Sequence, residues 1–347
     1  MLSVDIQKRF TGFTLNVQFE AERGVTALLG ASGSGKSVTL QCIAGVMKPD
    51  AGRIVRDGKV LFDKKKGIDL PPQQRHVGLL FQHYALFPNM TLQQNVEAGI
   101  RNQRGSARRA RALALLASYH IEGLGGLYPH QLSGGQQQRA ALCRILASEP
   151  EALLLDEPFA ALDSHLKWQL EREMMATLNS FGGEALLVTH DRGEAYRLSD
   201  HACVMDRGRN EAPVPTEQLF TAPRTRTAAR LSGCKNIVAI ERLGAHTLRV
   251  PAWGGQTLRT VAEIPQAARY LGIRAHLLRF GGPDEENALP VRVAQITPDL
   301  FSLAYTLRAG SALIYLEGDK AMPCAPQPGN KACVIVPPDA MMLLESE

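Results

Sequence analysis

An α/β fold with a mixed, mostly parallel sheet, followed by a small C-terminal β-barrel of OB-like form, is predicted by three observations. Apolar runs at residues 25–29, 153–155 and 185–189 each lead straight into a polar loop, as buried strands of a parallel sheet do. Helical patterns alternate with these runs over the first 230 residues, as in layered α/β domains. Beyond that point short β-rich pieces dominate, at residues 236–240, 247–250, 289–296, 302–307 and 312–316, punctuated by turn residues. The division falls near residue 230, giving domains of 1–230 and 231–347. A Pro- and Thr-rich stretch at 210–224, with a short helix at 217–220, reads as the linker.

Taken in order, the first strand, residues 25–29, is apolar with a β-branched start, and it runs into G-A-S-G-S-G-K-S at residues 30–37. Residues 37–44 then read as a helix. Strand, G-x-x-x-x-G-K-[ST], helix is the context that makes this pattern a phosphate-binding P-loop. Glycines 30, 33 and 35 let backbone amides turn inward, and Gly30, Ala31, Ser32, Gly33, Ser34 and Gly35 form an anion nest at a helix N-terminus. Lys36 is placed to reach β- and γ-phosphates, and the Ser37 hydroxyl to ligate Mg²⁺.

The second strand, residues 153–155, ends on two adjacent acids, Asp156 and Glu157. A carboxylate pair at the end of a buried strand is costly unless it holds a cation or moves a proton. Asp156 is expected to hold Mg²⁺ through its water shell, and Glu157 to act on the attacking water as general base or positioning group.

Between these two strands stands L-S-G-G-Q at 132–136, followed by A-L-D at 161–163 and V-T-H at 188–190. With these five segments in this order the chain resembles the ABC-type ATPases. The resemblance implies a P-loop ATPase domain of that type, a mixed sheet with a helical subdomain, using ATP and Mg²⁺ as cofactors. It implies that Ser133, Gly134 and Gly135 close over the ATP held by a second copy, in a head-to-tail homodimer. It further assigns Gln82 as a Mg²⁺ ligand and γ-phosphate sensor, His190 as the γ-phosphate switch and Asp163 as the acid that crosses the dimer. The family stacks adenine on an aromatic upstream of the P-loop. Phe10, in R-F-T-G, fits that loop better than Phe13, whose alternation with Leu15, Val17 and Phe19 marks one face of a strand. Ala160 stands where many relatives carry serine before A-L-D.

Hydrophobic residues make up 45% and charged residues 21% of the chain, ordinary values for a globular protein. No apolar run approaches the roughly eighteen residues of a membrane helix, and the N-terminus lacks a signal-peptide pattern, so residence in the cytoplasm is expected. Six scattered cysteines without C-x-x-C spacing predict reduced, mostly buried thiols rather than zinc or disulfide sites; Cys324 and Cys333 could in principle pair, but a cytoplasmic setting argues against it. The arginine- and alanine-rich helix over 101–120 belongs to the helical subdomain, and its five arginines read as a solvated face rather than a nucleic-acid surface. In residues 234–347 eleven Lys and Arg balance eleven Asp and Glu, so the net +5 lies in the first domain and the β-domain has no basic footprint for nucleic acid.

With no membrane span of its own, such a motor needs a partner. The segment 84–96, Y-A-L-F-P-N-M-T-L-Q-Q-N-V, resembles the importer subgroup's loop that docks a membrane permease, and its apolar residues suit a groove for a partner helix. The resemblance therefore implies a peripheral subunit at the cytoplasmic face of the membrane, reached by an external substrate-binding protein through the permease. Within importers, the stretch G-I-D-L-P-P-Q-Q-R-H-V-G at 67–78 and the segment 229–237 resemble the molybdate type, with sulfate/thiosulfate the nearest alternative, then iron(III), spermidine or other polyamines, or sugars. An oxyanion bound at the C-terminal domain is a further expectation. ABC ATPases that act on DNA or ribosomes mostly carry two ATPase domains or a long insertion between P-loop and signature, and the roughly hundred residues between Lys36 and Ser133 leave no room for one.

Overall fold

The computed structural model describes residues 1–160, 164–320 and 326–346. The chain falls into two compact units, Met1–Thr216 and Glu217–Glu347, so the observed division lies ahead of residue 230.

The first unit opens with strands β1 (Leu2–Phe10), β2 (Phe13–Ala21) and β3 (Gly24–Leu29), then helix α1 (Lys36–Ala44). Next come β4 (Ala51–Arg56), β5 (Lys59–Asp63), β6 (Ile68–Asp69), α2 (Pro72–Arg75) and β7 (Val77–Leu80). Helices α3 (Leu92–Gly99), α4 (Gly105–Ser118) and α5 (Gly134–Leu146) follow. The unit ends with β8 (Ala152–Asp156), α6 (Ser164–Phe181), β9 (Glu184–Thr189), α7 (Arg192–Leu198), β10 (His201–Asp206), β11 (Arg209–Asn210) and β12 (Val214–Pro215).

Two sheets result. One is antiparallel, in the order β2-β1-β4-β5-β6; the other runs β11-β10-β3-β9-β8-β7, with β12 also on β10. The central pairings β10/β3, β3/β9, β9/β8 and β8/β7 are all parallel. The antiparallel sheet departs from the helix-strand alternation read from the sequence. Its signal is a period of two: Leu15, Val17, Phe19 and Ala21 are buried while the intervening residues face solvent, and the hairpin turns on Gly12 at φ +81°. A face buried this way cannot tolerate a register slip, which fixes the pairing.

Between the two sheets lies a core in which Leu2, Val4 and Ile6 meet Leu154, Leu186 and Val188, with Leu40 and Ile43 of α1 among them. On the other side of the parallel sheet, Leu153, Leu155 and Leu187 pack against Ala141 and Leu142 of α5 and Leu170 and Met174 of α6. Both faces of these strands are therefore covered, as their continuous apolar sequence requires. Each such fully buried Leu or Ile contributes about 1.5–3 kcal/mol. The helical subdomain has a separate core, built from Leu92 and Val96 of α3, Ala112 and Leu116 of α4, and Ala140 and Cys143 of α5.

The stretch 210–215, expected to be linker, belongs to the sheet. Asn210 pairs with Met205, Val214 with Ala202 and Pro215 with His201. The bridges are two residues long and lie at an edge, where Pro is tolerated and no periodic pattern marks them.

In the second unit, helices α8 (Thr216–Thr221) and α9 (Arg226–Leu231) lead into strands β13 (Asn236–Ala239), β14 (Glu241–Arg242), β15 (Thr247–Val250), β16 (Gln256–Arg259), β17 (Ala268–Ile273) and β18 (Arg279–Gly281). The unit closes with β19 (Ala288–Pro298), β20 (Ser302–Ala309), β21 (Ala312–Asp319), β22 (Lys331–Ile335) and β23 (Met342–Glu345). They form three antiparallel sheets, β13-β17-β23, β14-β15-β16 and β18-β22-β19-β20-β21, around one core containing Trp253, Leu271, Tyr305 and Leu316. This is the OB-like barrel form expected. Its edge strand β21 is partly closed by a side chain: Tyr315 N–H donates to Asn236 Oδ1 at 2.7 Å, and Asn236 Nδ2 donates to Tyr315 O at 2.8 Å. One amide thus satisfies the two backbone groups that a neighbouring strand would otherwise take.

Candidate active site

The glycine-rich turn between β3 and α1 has the backbone that the sequence demands, with Gly33 at φ +79° and Gly35 at φ +104°. A Cβ at position 35 would come within 2.5 Å of Leu15 Cδ1 and 3.2 Å of Phe13 Cζ, so only glycine fits. Lys36 opens α1 and is 4% exposed. Its Nζ donates to Gly30 O at 2.8 Å and Ala31 O at 3.0 Å, curling the ammonium over the turn. Burial pulls its pKa below the ordinary lysine range, against the opposing pull of Glu157 and Asp156.

Arg75 holds the other end of α1. It is among the largest fully buried side chains, and its Nη1 donates to Cys42 O and Ile43 O while Nε donates to Leu70 O. These bonds satisfy carbonyls that a helix end leaves open, with a cation at the negative end of the dipole. The P-loop helix is fixed at both termini. Nothing in P-P-Q-Q-R announced this role.

The parallel register carries the remaining groups to the same edge. Asp156 is the last residue of β8 and pairs with Val188 of β9, so Glu157 and His190 leave adjacent strands side by side. The Ser37 hydroxyl donates to Asp156 Oδ1 at 2.7 Å. Asp156 is 5% exposed, and burial raises its carboxyl pKa, with Glu157 adding to the effect while the Ser37 bond and Lys36 oppose it. Glu157 has φ +44°, a left-handed conformation rare outside glycine, and its amide is held by Val188 O at 3.0 Å. Its Oε2 lies 3.2 Å from His190 Nδ1, and the imidazole is more than half exposed.

Lys36, Ser37, Asp156, Glu157 and His190 are thus brought together. Gln82 leaves β7, the neighbour of β8, two residues beyond its end and is exposed to solvent. Ser133 sits exposed at the N-cap of α5 in a capping box, its side chain accepting from Gln136 N while Gln136 Oε1 accepts from Ser133 N at 2.9 Å. Gly134 and Gly135 form the first turn of that helix. Phe10 is 40% exposed with its ring 6.1 Å from Phe13, whereas Phe13 packs beneath Gly35. Asp163 lies outside the described residues. The loop after β7 is firmly built: Asn95, fully buried, accepts from Phe87 N and donates to Phe87 O, Met90 O and Thr91 O. Tyr84 points inward, while Phe87 and Met90 remain exposed.

A phosphate cradle, a hydroxyl–carboxylate pair and a glutamate–imidazole pair on one edge suit nucleotide hydrolysis. Comparison with known proteins agrees. A family model described as ABC transporter matches residues 14–160. The molybdenum import ATP-binding protein of Paramagnetospirillum magneticum is 35% identical over 332 residues, covering 91% of this chain and 90% of that protein. The chain belongs to the ABC transporter family. It is accordingly an ATP-binding ATPase of that family. The sulfate/thiosulfate import ATP-binding protein of Xylella fastidiosa is 38% identical over 256 residues, or 69% of this chain and 72% of that one. Among solved structures, a dimeric ATP-binding cassette in a post-hydrolysis state with ADP and Pi matches with a TM-score of 0.54 and 28% identity, over 62% of this chain and 99% of that one.

Five of the six cysteines are described and all five are free; Cys42, Cys143, Cys203 and Cys234 are buried, and Cys333 is half-buried. Cys324 lies outside the described residues. No helix among them is long and apolar enough to cross a membrane.

Proposed function

We propose that this chain is the ATP-hydrolysing subunit of a membrane importer for an oxyanion, molybdate. One observation carries the cargo assignment. Similarity to the molybdenum import protein extends over 332 residues, whereas similarity to the sulfate/thiosulfate protein covers 256. The molybdenum relative therefore shares sequence well into the second unit, where a transport-specific property has room to reside.

In this reading Gly30 to Ser37 cradle the ATP phosphates, with Lys36 exchanging its two carbonyl partners for phosphate oxygens. Phe10 is the ring offered to adenine, since Phe13 is occupied against Gly35. Glu157 accepts a proton from the attacking water or orients it, and His190, 3.2 Å from that carboxylate, holds the γ-phosphate side. Ser133, Gly134 and Gly135 present a helix N-terminus to the ATP of a second copy, and Asp163 crosses between the two.

Mg²⁺ fits the donor set. Ser37 and Asp156 are already 2.7 Å apart, and a buried carboxylate beside a hydroxyl is a costly arrangement that a cation relieves. Mg²⁺ characteristically binds through one or two carboxylates together with phosphates and waters, so the single carboxylate of Asp156, with the Ser37 hydroxyl and Gln82, would suffice. Bound there, it neutralises charge on the phosphate oxygens.

Closure of two copies on ATP would draw permease segments together at the 84–96 loop, where Phe87 and Met90 stand exposed on a scaffold fixed by Asn95. The chain then works as a peripheral subunit on the cytoplasmic face, served by an external binding protein through the permease. Uptake of labelled molybdate and labelled sulfate by cells carrying Lys36→Ala in place of the native chain tests the cargo. Loss of molybdate uptake alone is expected; loss of sulfate uptake alone, or survival of both, overturns the assignment.

A further inference from the structure

Among the described residues His190 makes no hydrogen bond to the helices around it, yet the residues on either side are tightly held. Thr189 Oγ1 accepts from Asp191 N at 2.9 Å and donates to Glu194 Oε2 at 2.5 Å. Asp191 Oδ1 caps α7, accepting from Gly193 N at 2.7 Å and Glu194 N at 3.2 Å. Both carboxylates then converge on one cation. Lys167, in the first turn of α6, lies 2.6 Å from Asp191 Oδ2 and 2.6 Å from Glu194 Oε1. Burial works against this ammonium, but the two carboxylates more than offset it and raise its pKa, while Asp191 is lowered.

We propose that Lys167 is a positioning residue for His190: it locks the backbone on both sides of the imidazole and ties it to the N-terminal turn of α6. That turn directly follows residues 161–163, so a displacement of α6 is transmitted to the histidine. The proposal rests on the reading of His190 as the γ-phosphate contact.

A purely structural role for Lys167 is separable because α6 and α7 have another tie one turn further on. Arg197 donates to Glu171 Oε2 from Nε at 2.9 Å and from Nη2 at 2.6 Å. That pair docks the helices without touching Thr189 or Asp191, so Lys167→Met retains a link that keeps α7 in place, and Arg197→Met removes the link while leaving the clamp.

The test is steady-state ATPase kinetics of the purified full-length chain and its Lys167→Met, Lys167→Arg, Arg197→Met, His190→Ala and Lys167→Met/His190→Ala variants. Lys167→Met is expected to lower kcat about tenfold with KM for ATP within about twofold, the scale for removing a group that orients a catalytic side chain. Lys167→Arg should recover most of the loss, Arg197→Met should lower Tm with kcat kept, and the double variant should be no slower than His190→Ala. Native kcat in Lys167→Met, an equal loss in Arg197→Met, no rescue by arginine, or additive losses in the double variant overturns the proposal. Full activity of His190→Ala instead overturns the underlying reading of the site, a separate result.

Discussion

At Asp156 a nearly inaccessible carboxylate accepts one hydrogen bond from Ser37, and burial raises its pKa above the unfolded value. The sign follows directly. A raised carboxyl pKa favours folding only at low pH, and that contribution is lost as pH rises through the folded value, so the ionised group is a liability at neutrality. Asp156→Asn is expected to abolish Mg²⁺-dependent ATPase activity and raise Tm by about 2–4 °C at pH 7, the shift corresponding to about 1 kcal/mol in a domain this size. Calorimetry should show the gain shrinking as pH falls toward the carboxylate's titration. Lys36→Ala removes a charged donor and should weaken ATP binding about 10–100-fold, measured by nucleotide titration. The buried thiols make a third case: burial pushes Cys42 up to about 11 and Cys143 and Cys203 up to about 12, so alkylation at pH 8 should leave all three unmodified until the chain unfolds. Modification of the native protein at any of them would contradict the packing described.

Among the elements, the loop after β7 depends most on one side chain. Asn95 makes four hydrogen bonds to the loop from a fully buried position on α3, and replacement leaves three carbonyls and an amide without that partner. Asn95→Ala should cost about 2–4 kcal/mol in urea unfolding and uncouple ATPase activity from transport. Activity and stability both at native level would show the loop to be held otherwise. Such a role is invisible in sequence, because an asparagine in Q-Q-N-V-E looks the same whether it clasps a loop or faces water. The elements that were legible are those with a local rule. The P-loop needs glycine where φ is positive, and the strand ending in Asp156 needs an apolar run. Arg75, Lys167 and the strand pairing of residues 210–215 act on segments distant in sequence, so only the three-dimensional arrangement exposes them. Glu157 shows the intermediate case: the Asp-Glu pair at a strand end is plain in the sequence, but its φ of +44° and the bond from its amide to Val188 O are not.

For the molecule as a whole, the first unit brings Lys36, Ser37, Asp156, Glu157 and His190 to one edge, while α5, capped by Ser133, offers a further helix N-terminus at the surface. The role proposed for that helix start, closing over the ATP of a second copy, requires the chain to work as a pair. The most direct test is analytical ultracentrifugation of the full-length Glu157→Gln variant with and without ATP and Mg²⁺, alongside its turnover. On the role proposed for Glu157, removing its carboxylate should slow hydrolysis by on the order of 10²-fold or more while leaving binding intact. A monomer is expected without nucleotide and an ATP-locked dimer with it, holding two ATP per pair. A variant that turns over ATP at the native rate, or stays monomeric with ATP bound, would contradict it.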